Sequence, residues 1–136
     1  MAVVEELLRS EADGTISFGN HLLENKAKAE DYEHCGDLYK VKTFKTMTKL
    51  ERNGLFVYES VPGTSVLHFS ENADGVSFEV EGDEDAQITL ELEEDTEYEV
   101  FLAGKSIGKM KTNLGGKLNI SVELAGVGEI NVKITK

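Results

Sequence analysis

The chain has 136 residues, 26 of them acidic and 14 basic, giving a formal net charge of −12 with 40% hydrophobic content. That is apolar material enough for a packed core, on a length that suits one domain or two very small ones. The charge balance excludes nucleic acid and disfavours an anionic membrane surface, since both are recognised by clustered Lys and Arg, and Arg9 and Arg52 are the only arginines.

In chain order, the start reads Met-Ala-Val-Val-Glu-Glu, and the two glutamates interrupt any signal-peptide apolar run. No later stretch reaches the ~20 apolar residues of a membrane helix. Cys35 has no second cysteine to bridge to, which fits a reducing compartment. These features together predict a cytoplasmic protein. Asp13-Gly14 predicts a hairpin turn, so the residues just before it are predicted as a strand. Residues 20–30 alone carry helix signals, with Asn20 as the cap. Gly36-Asp37 and Asn53-Gly54 are further turn signals, and Val61-Pro62-Gly63 predicts a join between an N-terminal and a C-terminal half.

Beyond Pro62 the period is 2. Val76, Phe78 and Val80 alternate with Ser77, Glu79 and Glu81, and Leu118, Ile120, Val122 and Leu124 alternate with Asn119, Ser121 and Glu123. Ile88, Leu90 and Leu92, and then Ile130, Val132 and Ile134, repeat the pattern. One face for a core and one for water is the mark of antiparallel sheets. Asp74-Gly75, Gly104-Lys105 and Gly115-Gly116 punctuate these runs. Seven strands are predicted, near 64–70, 75–81, 86–92, 97–103, 107–111, 117–124 and 128–134, at the spacing of an immunoglobulin-like sandwich. The expected fold is an all-β antiparallel β-sandwich. A smaller β subdomain of five or six strands is expected over 1–62, as a second small sheet or as the completion of one larger sandwich, and an immunoglobulin-like sandwich over 63–136. The fragments Ala12 to Phe18 and Ala73 to Phe78 echo each other as shared turn chemistry.

Motifs that would carry chemistry fall away on spacing. Ala103-Gly104-Lys105-Ser106 looks like the tail of a phosphate loop, but the required earlier glycine is Glu99 and a strand follows instead of a helix. His34 and Cys35 are adjacent, so on a strand they diverge and form neither a metal site nor a nucleophile–base pair. His68 is expected half-buried and satisfied, on the face of Val66. From Glu71 to Glu99 there are thirteen carboxylates and no base. The loop Asp83, Glu84 and Asp85 supplies calcium candidates by ligand type, without the Asp-x-Asp-x-Asp-Gly spacing of a dedicated calcium loop. The tail from Gly104 onward is lysine-rich, which predicts pairing with the acidic segment inside the fold or between copies.

The stretches Tyr98 to Lys105 and Gly108 to Leu118, with Asp37 to Phe44 and Val57 to Thr64, resemble a family of short bacterial proteins from anaerobic Gram-positives commonly labelled endosialidase. The label implies glycoside hydrolysis. Sialidases in general hold the substrate carboxylate with three arginines, and this chain has two arginines, no tryptophan and no Asp-box repeat. No catalytic residue is therefore carried over, and no cofactor is implied. The C-terminal half is also similar to accessory β-sandwiches of polysaccharide enzymes, which implies a carbohydrate partner, with Tyr32, Tyr39, Tyr58 and Tyr98 as available aromatics. The expectation that follows is a non-catalytic structural, assembly or protein-interaction module whose edge strands take a protein partner or a second copy. A carbohydrate-binding module is the alternative, and a glycoside hydrolase the third reading.

Overall fold

A computed structural model describes residues 3–136. Their secondary structure is strands and turns. In chain order the thirteen strands are β1 (Leu8–Ser10), β2 (Ile16–Phe18), β3 (Ala27–His34), β4 (Asp37–Thr43), β5 (Thr48–Arg52), β6 (Leu55–Val61) and β7 (Ser65–Asn72). They continue as β8 (Gly75–Glu81), β9 (Ala86–Glu91), β10 (Glu97–Leu102), β11 (Lys105–Lys111), β12 (Lys117–Val122) and β13 (Ile130–Thr135). No helix of the described residues is long and apolar enough to cross a membrane.

The strands form two antiparallel sheets, ordered β1-β2-β7-β8-β13-β10-β11 and β12-β9-β6-β5-β4-β3. The alternation read from sequence is the alternation observed: Leu118, Ile120 and Val122 are buried while Asn119 and Ser121 are exposed. Hairpins turn where Asx-Gly or X-Gly supplies two positive φ angles, at Cys35-Gly36, Asn53-Gly54 and Ala103-Gly104. Two of these turns sit one residue earlier than Gly36-Asp37 and Gly104-Lys105. The two echoing fragments are the β1–β2 and β7–β8 turns with their following strands.

Two expectations are corrected. Residues 20–30 hold no helix: the Asn20 side chain accepts a hydrogen bond from the Leu22 amide in a single local turn, and the chain enters β3 at Ala27. The join at Pro62 does not separate two sheets, because β2 pairs with β7 and β6 pairs with β9 across it. The seven strands after Pro62 divide five and two between the sheets, where an immunoglobulin constant domain divides four and three. The missing neighbours are supplied by β3 to β6 on one sheet and by the β1–β2 hairpin on the other.

Between the sheets Tyr58 projects into an aromatic cluster. Its ring meets Phe18, Phe69 and Phe78 edge-on at centroid distances of 5.2, 6.4 and 5.7 Å. Edge-to-face geometry sets the positive rim of one ring against the negative face of another, so the cluster gains beyond simple burial. The Tyr58 hydroxyl sits 2.8 Å from Thr64 Oγ1, which also lies 2.7 Å from Ser60 Oγ. Thr48 Oγ1 donates to the Thr64 carbonyl at 2.7 Å, so a buried hydroxyl network closes this end of the core. One flank is tied by Ser10 of β1 to Tyr32 and His34 of β3. An Arg52–Glu71 ion pair of 2.9 Å joins the sheets at the open end.

Candidate functional site

A two-sheet sandwich has four edge strands, and each edge exposes backbone N–H and C=O groups to any strand that arrives. Three of the four are blunted. β1 has three residues. β3 carries Lys28, Glu30, Asp31 and Glu33 and a register shift between Ala29 and Tyr32, with Asp31 at φ +55°. β11 carries three lysines and is broken by a register shift opposite Val100 and Phe101. Short length, charge and bulges are the devices that discourage edge pairing.

β12 has none of these over most of its length. It pairs with β9 in unbroken register from Lys117↔Glu91 to Val122↔Ala86. Among the described residues, Leu118 to Val122 make no backbone–backbone hydrogen bond beyond the β9 ladder. Their outward side chains are small and neutral, and each is held by β9: Gln87 Nε2 donates to Ser121 Oγ at 2.5 Å, and Thr89 Oγ1 donates to Asn119 Oδ1. At one end Lys117 Nζ bonds Glu91 at 2.5 Å and sits 3.9 Å from the Phe56 ring centroid. At the other, Asp85 Oδ1 accepts the amides of Leu124 and Ala125 at 3.0 and 3.1 Å, fixing the chain as it leaves the strand. The edge is thus straight, ordered on both sides and open.

The residues singled out in the sequence are dispersed. Asp85 serves as that loop anchor, Asp83 faces His21, and Glu84 is exposed. Among the described residues, no three His, Cys, Asp or Glu side chains converge as a metal site. His34 is buried, with Nε2 donating to the Gly14 carbonyl at 3.1 Å and Nδ1 2.7 Å from Ser10 Oγ, while Cys35 points out from the turn. His68 departs from expectation. A register shift between Leu67 and Ser70 puts it at φ +54° and rotates it to the surface, where Asp13 Oδ2 lies 3.1 Å from Nδ1. Tyr39, Tyr58 and Tyr98 are core residues, so they are not available to stack on a sugar.

A depression of about 360 Å³ opens between the sheets and is lined by Arg52, Glu71, Glu91, Glu93 and Tyr98 among others. Each of its carboxylates is bonded to a cation: Glu71 to Arg52, Glu91 to Lys117 and Glu93 to Lys136. Lys109–Glu97 and Lys111–Asp95 add to the same pattern, so much of the lysine-rich tail is matched to the acidic segment inside the fold. A feature the sequence did not disclose is a row of directly opposed lysines, Lys28↔Lys42↔Lys49, on the outer face of β3, β4 and β5. Opposed like charges are costly, and Glu30 offsets part of that by reaching Lys28 and Lys40 at 3.3 and 3.7 Å.

Among the described residues, one buried side-chain polar atom lacks a hydrogen-bond partner, His21 Nε2. Its Nδ1 lies 2.8 Å from Ser65 Oγ, and Asp83 Oδ1 stands 3.6 Å from Nε2. Burial holds the His21 imidazole below its ordinary 6.5, with Asp83 and Glu81 opposing that shift. As pH falls, the unfolded chain therefore binds this proton before the folded one does. The stability is fully present above pH 6.5 and is lost as pH falls through the lower folded-state value. We expect the melting temperature to decline between pH 7 and 5, and His21→Gln to flatten that slope. Glu11 and Asp13, held below 4.5 and 3.8 by hydrogen bonds first of all, act only in more acidic solution. Equal slopes in the two proteins would contradict this account.

A scan against protein-family models, a search of curated proteins and a search of solved structures each returned no match.

Proposed function

We propose that the protein is a non-catalytic assembly module, which acts by accepting a strand of a protein partner along the free edge of β12. The observation that carries this is the contrast among the four edges, of which three are shortened, charged or bulged and one is straight and neutral from Leu118 to Val122. Edge strands left in this condition pair with other chains, main chain supplying affinity and alternate side chains supplying selectivity. The lone, exposed Cys35 accords with a reducing, cytoplasmic setting.

The test is chemical crosslinking in the intact source cell followed by purification, with the wild-type chain beside Asn119→Lys/Ser121→Lys. Both substitutions face solvent and add charge to the open edge, so folding stability is expected to change by less than about 1 kcal/mol. Wild type is expected in assemblies and the double variant alone. Wild type recovered only as a monomer, or both proteins in the same assemblies, would overturn the reading.

A further inference from the structure

We infer that the strand accepted by β12 is β12 of a second copy, paired antiparallel about a two-fold axis through Ile120. The inference rests on the edge reading above and adds the partner and the register. Two identical strands pair symmetrically only about an axis through one residue or midway between two. In a continuous antiparallel sheet, opposed side chains share a face, so buried residues must oppose buried ones. That excludes the midpoint axes.

Among the remaining axes, Ile120 stands alone in matching the whole strand. About it, Leu118 opposes Val122 of the second copy on the core face, and Asn119 opposes Ser121 on the outer face. Lys117 then opposes Glu123 of the second copy, also on the outer face. The sequence Lys-Leu-Asn-Ile-Ser-Val-Glu over 117–123 is therefore complementary to its own reverse in polarity, size and charge. An axis through Asn119 or Ser121 would set one of the two charges opposite the loops on either side of the strand.

Glu123 is exposed and has no ion pair among the described residues, so a second copy would supply its first cation. Lys117 leans toward Glu91 and the Phe56 ring on the β9–β6 side, so pairing with Glu123 of the second copy turns its ammonium toward the open edge. An isologous contact of this kind joins two six-stranded sheets into one and closes on itself, which ends the assembly at a dimer. Strand pairing alone makes a small interface, so the dimer is expected to be weak and reversible.

Register is tested by disulfide trapping in a Cys35→Ser background. Asn119→Cys and Ser121→Cys chains are oxidised mildly, each alone and mixed in equal amounts. Directly opposed residues have Cα atoms about 4.5–5.5 Å apart, inside disulfide range, whereas like positions in the two copies are offset by two residues along the strand. Trapped dimer from the mixture is expected to exceed that from either chain alone by at least about tenfold. Far-UV circular dichroism checks that each variant folds. Equal trapping in all three samples, with wild type dimeric by sedimentation, would overturn the register and leave the edge reading standing. Sedimentation of wild type as a monomer at millimolar concentration would overturn the second copy as partner. Recovery of wild type from the cell as a lone monomer is the separate result that sinks the edge reading.

Discussion

Tyr58→Ala is expected to cost about 3–5 kcal/mol, the range for deleting a large ring from a core that cannot collapse around the gap. Tyr58 is fully buried and is the side chain that β6 sends between Phe18, Phe69 and Phe78 of the opposite sheet. Removing it leaves three phenyl rings without their edge contacts and strips a partner from Thr64. Against a total stability of about 5–15 kcal/mol, such a loss leaves little of the protein folded at physiological temperature. Tyr58→Phe separates packing from hydrogen bonding. It keeps the ring and leaves Thr64 Oγ1 with Ser60, so about 0.5–1.5 kcal/mol is expected. Urea unfolding midpoints with unchanged slope are the readout, and a Tyr58→Ala loss below about 1 kcal/mol would show that the sheets do not meet at this residue.

Gly75→Ala is expected to be nearly as severe, at about 3 kcal/mol or more, through the backbone instead of the core. Gly75 opens β8 at φ +149°, and a Cβ there would lie 1.8 Å from the Ile134 carbonyl oxygen. That oxygen belongs to β13, which runs between β8 and β10 in the middle of its sheet, so neither side can yield without breaking ladder hydrogen bonds. Gly14→Ala is the control. Its φ of +87° carries the ordinary left-handed cost of about 1–2 kcal/mol, and nothing lies within 4 Å of the added methyl. Equal losses at the two positions would contradict the close approach of β13 to Gly75.

Both substitutions probe features with different visibility in the sequence. The period-2 runs at 75–81 and 117–122 could be read directly, because burial on one face is written in alternating residues. The turns at Asn53-Gly54 and Asp13-Gly14 were legible for a similar reason, since few residues adopt positive φ. The segment 20–30 misled because Asn20 signals a local hydrogen bond to Leu22, and that bond serves a turn as well as a helix cap. The bulge that turns His68 outward has no residue signature, so alternation from Val66 placed it on the wrong face. Pro62 looked like a boundary because pairing between β2 and β7, or β6 and β9, is non-local and leaves no mark in the intervening chain.

The candidate site was hidden for the same reason. Whether a strand lies at an edge depends on the order of the whole sheet, which β12 acquires only because β9 pairs with β6 on its other side. The self-complementary run from Lys117 to Glu123 was present in the sequence throughout, but it acquires meaning only when its strand is known to be open. The acidic segment shows the converse. Its thirteen carboxylates drew attention as potential ligands, yet Glu91, Glu93, Asp95 and Glu97 are bonded to Lys117, Lys136, Lys111 and Lys109.

Hydrogen exchange resolved by peptide, recorded on the native assembly and on the dilute purified chain, tests most directly where this protein meets its partner. Slower exchange confined to peptides covering Leu118 to Val122, with β1, β3 and β11 unchanged, is the predicted result. Protection arising at any other edge, or none at β12, would contradict the account.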